Sequence, residues 1–248
     1  MPRVTIVIPA KNEAGNIGPL VRGIHQNCQA DAPEIIVVDD ASTDGTAAEV
    51  AAVAAQLAGV RLLQHPRSAG QSAAVHSGVL AATAPVCATL DGDGQNPPTE
   101  LPGLYAPLIA PDADPLLGLV AGQRVKRQDS WSKKIASRLA NRLRVTLLND
   151  GTRDTGCGLK AFRRDAFLAL PYFNHMHRYL PALFVRDGWR VAHVDVRHQA
   201  REHGRSNYSN FGRALAGVVD LAGVVWLMRR RKTAHASEPA RATPGEAQ

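Results

Sequence analysis

The sequence is short of the features that would staple or anchor a protein. It has three cysteines in 248 residues, Cys28, Cys87 and Cys157, far apart and without metal-ligand spacing. That excludes a disulfide scaffold and points to a reducing compartment. Aromatic residues make up only 5%. No run of about 20 apolar residues occurs, so no segment reads as membrane-spanning. The start, Met-Pro-Arg-Val, has no basic-then-apolar leader, so no secretory signal is expected. No G-x-x-x-x-G-K-[ST] loop is present, and Gly15 and Gly18 do not form G-x-G-x-x-G, so P-loop and dinucleotide readings are set aside.

What is present is ordinary globular composition, 45% hydrophobic and 21% charged, with 29 Lys and Arg against 22 Asp and Glu, a net charge of +7. The length suits one large domain or two small ones. The positive charge is concentrated. Between Ala121 and Asp150 lie eight basic residues, Arg124, Lys126, Arg127, Lys133, Lys134, Arg138, Arg142 and Arg144, against Asp129 and Asp150. A second run is Arg229-Arg230-Arg231-Lys232. Two such runs point to a membrane surface or a polyanion. A nucleic-acid-binding domain is disfavoured, because residues 121–150 contain a single aromatic, Trp131, where stacking residues would be needed.

The first 125 residues alternate strand and helix signals. Apolar runs at 4–9, 34–40, 60–63, 86–90 and 117–122 are joined by helical patterns at 13–27, 46–57, 70–82 and 99–109. Continuous apolar strands joined by helices predict a parallel sheet covered on both faces, an α/β fold. Ligands of such sheets bind beyond the carboxyl ends of the strands. Three strand ends carry polar clusters: Pro9 to Glu13, Asp39-Asp40 and Asp91-Gly92-Asp93. Farther on, Ser130 to Leu148 reads as a basic helix, 157–162 as a short strand, 177–186 as a helix and 190–199 as a strand. Residues past Thr233 read as disordered.

Asp91-Gly92-Asp93-Gly94-Gln95 is the sharpest constellation. Two carboxylates one residue apart after a buried strand can reach one hard cation from a glycine turn, and Gln95 adds a neutral oxygen. Asp39-Asp40 can accept hydrogen bonds from a base or ribose, or cap the following helix.

With these motifs goes a set in fixed order: Val4 to Glu13, Val37 to Thr46, Gly70-Gln71 with Ala73-Ala74, Asp91 to Pro98, Gly122-Gln123-Arg124, Asp154 to Arg163, and Arg201 to Tyr208. The set resembles family 2 glycosyltransferases of the GT-A fold, a three-layer αβα architecture, in the branch of dolichyl- and polyprenyl-phosphate mannosyltransferases. The resemblance implies an inverting, metal-dependent transfer of a hexose, mannose ahead of glucose, from a donor such as GDP-mannose or UDP-glucose to a lipid phosphate. Pro9, Ala10, Asn12, Glu13, Asp39, Asp40, Gly70, Gln71 and Asp91 would hold the nucleotide sugar. Asp91, Asp93 and Gln95 would bind Mg²⁺ or Mn²⁺. Arg201 and Ser206 would close over the donor phosphates. A glycan or lipid headgroup is the alternative acceptor.

A lipid phosphate is already largely dianionic at neutral pH, so it needs positive charge more than a base. Arg124 supplies that charge, with Ser206 as a further acceptor-phosphate contact. Asp154 either orients the arginines or acts as a weak base. His175, His177 and His203 are weaker acceptor candidates. Near the end, Phe211, Leu215, Val218, Val219, Ala222, Val225 and Trp226 share one helical face, with Arg213, Gly217 and Asp220 opposite. An amphipathic helix with a basic end suits an anionic bilayer surface. The expected organisation is a catalytic domain over 1–206, an interfacial helix over 207–232 and a tail over 233–248, with the protein cytoplasmic and peripheral to the inner face of the membrane.

Overall fold

The computed structural model describes residues 2–125, 144, 147–148, 150–199 and 210–230, with side chains of the last segment from 217. The expected contacts of Arg201 and Ser206, the loop around His203, most of the basic helix and the 233–248 tail lie outside the described residues.

Strand β1 (Val4–Ala10) is followed by α1 (Ile17–Cys28), β2 (Glu34–Asp39), α2 (Thr46–Ala54) and β3 (Val60–Gln64). Next come α3 (Gln71–Ala81), β4 (Val86–Thr89), α4 (Leu101–Ile109) and β5 (Leu117–Arg124). Then follow β6 (Lys160–Arg163), α5 (Arg164–Leu168), α6 (Leu180–Arg186), β7 (Arg190–Val196) and α7 (Asn210–Met228). The sheet order is β3-β2-β1-β4-β6-β5-β7. All neighbours pair parallel except β6, which runs antiparallel to both β4 and β5.

β2 is Glu-Ile-Ile-Val-Val-Asp, buried throughout, as a strand covered on both faces must be. α1 turns Ile17, Leu20, Val21, Ile24 and Cys28 inward at helical spacing. These side chains join α2 and α4 residues in one apolar layer. The other face is covered by Ala74, Val75 and Val79 of α3 and by Phe167, Leu183 and Phe184 of α5 and α6. α3 sits close enough that a Cβ on Gly78 would lie 2.4 Å from Val7 Cγ1.

The topology decides what meets at the rim. β4 and β5 end at the same edge of the sheet as β1 and β2, and the reversed β6 begins there. Asp91 beyond β4, Arg124 at the tip of β5 and Lys160 at the start of β6 are thereby brought to one edge.

α7 keeps Val218, Val219 and Trp226 of its expected face outward and turns Val225 of that face inward. Leu221, Val225 and Met228 pack against the second apolar layer, and Val224 is buried in it. Asp220 faces the domain and pairs with His175 (Oδ2 to Nδ1, 2.8 Å). Arg186 donates to the carbonyls of Leu227 and Arg230, each at 3.0 Å, closing the helix end. The outward stripe is Val218 (68% exposed), Val219 (66%) and Trp226 (54%). Both sides of this helix are apolar, and Val225 belongs to the packed side.

Candidate active site

The β1–α1 and β2–α2 loops are laced together. Asn12, at φ 55°, accepts the Thr43 N–H at 2.8 Å, and its own N–H donates to Ser42 Oγ at 2.9 Å. The Glu13 N–H donates to Thr46 Oγ1 at 2.8 Å. Glu49 accepts the amides of Gly15 and Gly18 at 2.7 and 3.0 Å. Asp39 accepts the Ser42 N–H at 3.0 Å. With the Asp40 amide donating to the Ala10 carbonyl at 2.9 Å, Ala10, Asn12, Glu13 and Asp39 form one braced rim beyond β1 and β2.

Asp40 is different. Oδ1 accepts from His65 Nδ1 and the Ala69 amide, both at 2.8 Å. Oδ2 accepts from Ser68 Oγ at 2.7 Å and the Gly70 amide at 2.9 Å. Burial alone would raise this carboxyl. The four donors outweigh burial and hold it at about 2. Both oxygens are spent on the 65–70 loop, so Asp40 shapes the rim from below instead of presenting its carboxylate to a ligand.

Asp91 lies half-buried beyond β4. Gln71 Nε2, on the first turn of α3, donates to Asp91 Oδ1 at 2.8 Å. A Cβ on Gly158 would stand 2.2 Å from Asp91 Oδ2, so only glycine leaves that space. Burial, and after it the charge of Asp93, pushes the Asp91 carboxyl up to about 6. Asp93 accepts the Gln95 amide at 3.1 Å. Gln95 itself is joined to Gln199: its carbonyl accepts the Gln199 N–H at 2.8 Å, and its side-chain nitrogen faces the Gln199 carbonyl at 3.5 Å.

The acid pair suits a hard divalent ion. Among the described residues no group of three or more His, Cys, Asp or Glu forms a complete cage. Mg²⁺ and Mn²⁺ are commonly held by one or two carboxylates together with phosphate oxygens. Two repelling carboxylates, one desolvated, are the setting that such a cation relieves.

Beside this pair, Arg124 Nε donates to Asp154 Oδ2 at 2.6 Å and a terminal nitrogen to Oδ1 at 2.9 Å. Asp154 also accepts the Gly156 amide at 3.2 Å. A carboxylate so engaged fixes the direction of its arginine's guanidinium. Arg144 does not belong to a solvated basic face: it is buried and paired with Asp150, whose side chain is fully enclosed. His175 and His177 bind within the protein, to Asp220 and Ser72.

Sequence reasoning gave Lys160 no role. It is only 4% exposed and donates to the Cys157 carbonyl, and its charge acts on Asp91. A lysine inside a short buried strand was the available signal. Gln71, Asp91, Gly158, Lys160 and His177 line a cavity of about 10 Å³, room for one water.

A mainly parallel sheet with braced acids at neighbouring strand ends, and a fixed arginine beside them, is the framework of an α/β transferase. The chain belongs to glycosyl transferase family 2, whose model matches residues 5–170. It is a glycosyltransferase. It is 33% identical over 233 residues to a dodecaprenyl-phosphate galacturonate synthase of Rhizobium johnstonii, covering 91% of this chain and 67% of that protein. Its fold is similar to glucosyl-3-phosphoglycerate synthase of Mycobacterium tuberculosis, solved with Mg²⁺ and UDP. The TM-score is 0.68 at 18% identity, over 92% of this chain and 79% of the other. A mannosyltransferase of Pyrobaculum calidifontis, solved with GDP-Man and Mn²⁺, matches with a TM-score of 0.68 at 24% identity, over 93% and 65% of the two chains. These likenesses establish the GT-A fold.

Proposed function

We propose that the chain transfers a sugar from a nucleotide-diphosphate donor to polyprenyl phosphate, with inversion at the sugar. The observation that carries this is the Asp91–Asp93 pair at the same rim as an arginine locked by Asp154. Two sites for negatively charged groups side by side are what joining a sugar diphosphate to a lipid phosphate requires. The relative named for dodecaprenyl phosphate supports the acceptor, and the neighbours solved with UDP or GDP-Man support the donor class.

Asp91 and Asp93 would hold Mg²⁺ or Mn²⁺, which when bound neutralises the departing diphosphate. The rim of Pro9, Ala10, Asn12, Glu13 and Asp39 binds the nucleotide. Arg124 draws in the acceptor phosphate and Asp154 keeps the guanidinium aimed. An acceptor phosphate oxygen attacks the anomeric carbon as its bond to the diphosphate breaks, and the already ionised acceptor removes the need for a strong base. Arg201 and Ser206 are assigned on their motif to the donor and acceptor phosphates. Incubation with polyprenyl phosphate, Mn²⁺ and UDP-glucose, GDP-mannose or UDP-galacturonic acid, reading nucleoside diphosphate and lipid-linked sugar, tests the reading. Nucleotide release without lipid product for every donor would sink the acceptor assignment.

No described helix is long and apolar enough to cross a membrane. The outward Val218, Val219 and Trp226 stripe, followed by Arg229 and Arg230, supports peripheral docking on the anionic inner face of the membrane. On this reading residues 1–206 are catalytic and 207–232 are the docking helix.

A further inference from the structure

We infer that Gln71 is a positioning residue for Asp91, and that Asp40 and His177 hold it in place from either flank. The inference rests on the proposed role of Asp91 at the donor phosphates, and it gives Gln71 a task other than touching the nucleotide.

The geometry is a clamp. Asp91 Oδ1 is held by the Gln71 amide at 2.8 Å. Oδ2 lies where the missing side chain of Gly158 leaves room. A carboxylate held by an amide on one oxygen, in a space that only glycine leaves open, is restricted in orientation, which a reactive constellation requires of its carboxylates. Gln71 opens α3, and both of its neighbours are tied down. On one side the Gly70 amide donates to Asp40 Oδ2 at 2.9 Å, and Gly70 adopts φ 88°, a conformation that suits glycine. On the other side Ser72 Oγ meets His177 Nδ1 at 2.7 Å and accepts the His177 amide at 3.4 Å. Ser72 is buried, and burial pushes the His177 imidazole down to about 3, so the ring is neutral in this contact. The tips of β2 and β4, far apart in sequence, are thereby coupled through three consecutive residues at the start of α3.

The test is Mn²⁺ binding to the full chain, with the metal alone and with UDP present, read as free Mn²⁺ by electron paramagnetic resonance. Thermal midpoints of each variant are measured in parallel. Asp91→Asn should abolish binding. Gln71→Ala should weaken it about 10- to 100-fold, the usual cost of removing a hydrogen-bond partner of a ligand, with the thermal midpoint nearly unchanged. Ser72→Ala should weaken it less, and the double variant Gln71→Ala/Ser72→Ala no more than Gln71→Ala alone. Unchanged affinity in Gln71→Ala, with binding lost in Asp91→Asn, overturns the inference and leaves the site reading standing. Unchanged affinity in Asp91→Asn, or no binding by the unaltered chain, overturns the site reading and the inference together. Fully additive losses overturn the bracing by Ser72 and His177.

Discussion

Arg124 and Asp154 meet as a two-pronged pair, Nε to Oδ2 at 2.6 Å and a terminal nitrogen to Oδ1 at 2.9 Å. Both side chains are largely buried, so the guanidinium has one orientation at the tip of β5. Asp154→Asn keeps the shape but loses the charge and one acceptor. The expected result is a KM for polyprenyl phosphate raised about tenfold, equivalent to about 1.4 kcal/mol, with nucleotide affinity unchanged. Steady-state kinetics with donor and acceptor varied separately checks this; an equal loss on the donor side would assign Asp154 elsewhere.

Gly158 is the second point of leverage. Any side chain there would collide with the Asp91 carboxylate. Gly158→Ala should therefore reduce kcat/KM by about 100-fold or more, the scale of a misplacement of about 1 Å. The fold should lose only about 1–3 kcal/mol from overpacking. Retained activity in a folded Gly158→Ala protein would show that Asp91 is free to move without consequence.

Away from the rim, Glu34 ties β2 to its neighbours. It accepts from Thr5 Oγ1 at 2.7 Å, from the Thr83 amide at 2.9 Å and from Arg61 at 2.6 Å. Burial opposes the charge, but these bonds outweigh it and the carboxyl is held below its ordinary value. A depressed folded value means that the stabilisation is complete above the unfolded pKa, near 4.3. It is lost as pH falls through the lower folded value. Glu34→Gln should cost about 1–3 kcal/mol at neutral pH and flatten the acid limb of stability below about pH 4. Urea midpoints between pH 7 and pH 3 measure both effects; an unaltered acid limb would remove Glu34 from the balance.

Much of this was legible in the residues and some could not be. The buried runs of β1, β2 and β4 announce a parallel sheet because a strand covered on both faces has no polar side to show. The position of β6 was hidden. Its four residues begin with a buried lysine and end with an arginine, and its antiparallel insertion is a pairing choice made by the whole sheet. The Asp91–Asp93 turn was readable because glycine and acid spacing are local. The fate of Asp40 was not, since the donors that consume it arrive from residues 65–70. In α7 periodicity marks the outward stripe of Val218, Val219 and Trp226, but it cannot say that Leu221, Val224 and Val225 form a second apolar side that meets the protein.

That exposed side yields the last expectation. Trp226 stands 54% exposed, with the Arg230 guanidinium 4.7 Å from its ring centroid. An indole with a cation over it suits the boundary between acyl chains and anionic headgroups: on the proposed docking the ring would enter the apolar layer and the charge would stay at the phosphates. Each arginine near such a surface contributes about 1 kcal/mol, within the range of salt screening. Arg229→Glu/Arg230→Glu should therefore lower sedimentation with anionic vesicles by at least about tenfold in affinity at low salt. Trp226→Ala should lower it on neutral and anionic vesicles alike, because it removes apolar burial and not charge. The two signatures are distinct: salt should release the unaltered protein yet barely change the residual binding of the charge-reversed one. If both variants sediment as the unaltered chain does, the Val218–Trp226 stripe does not face lipid.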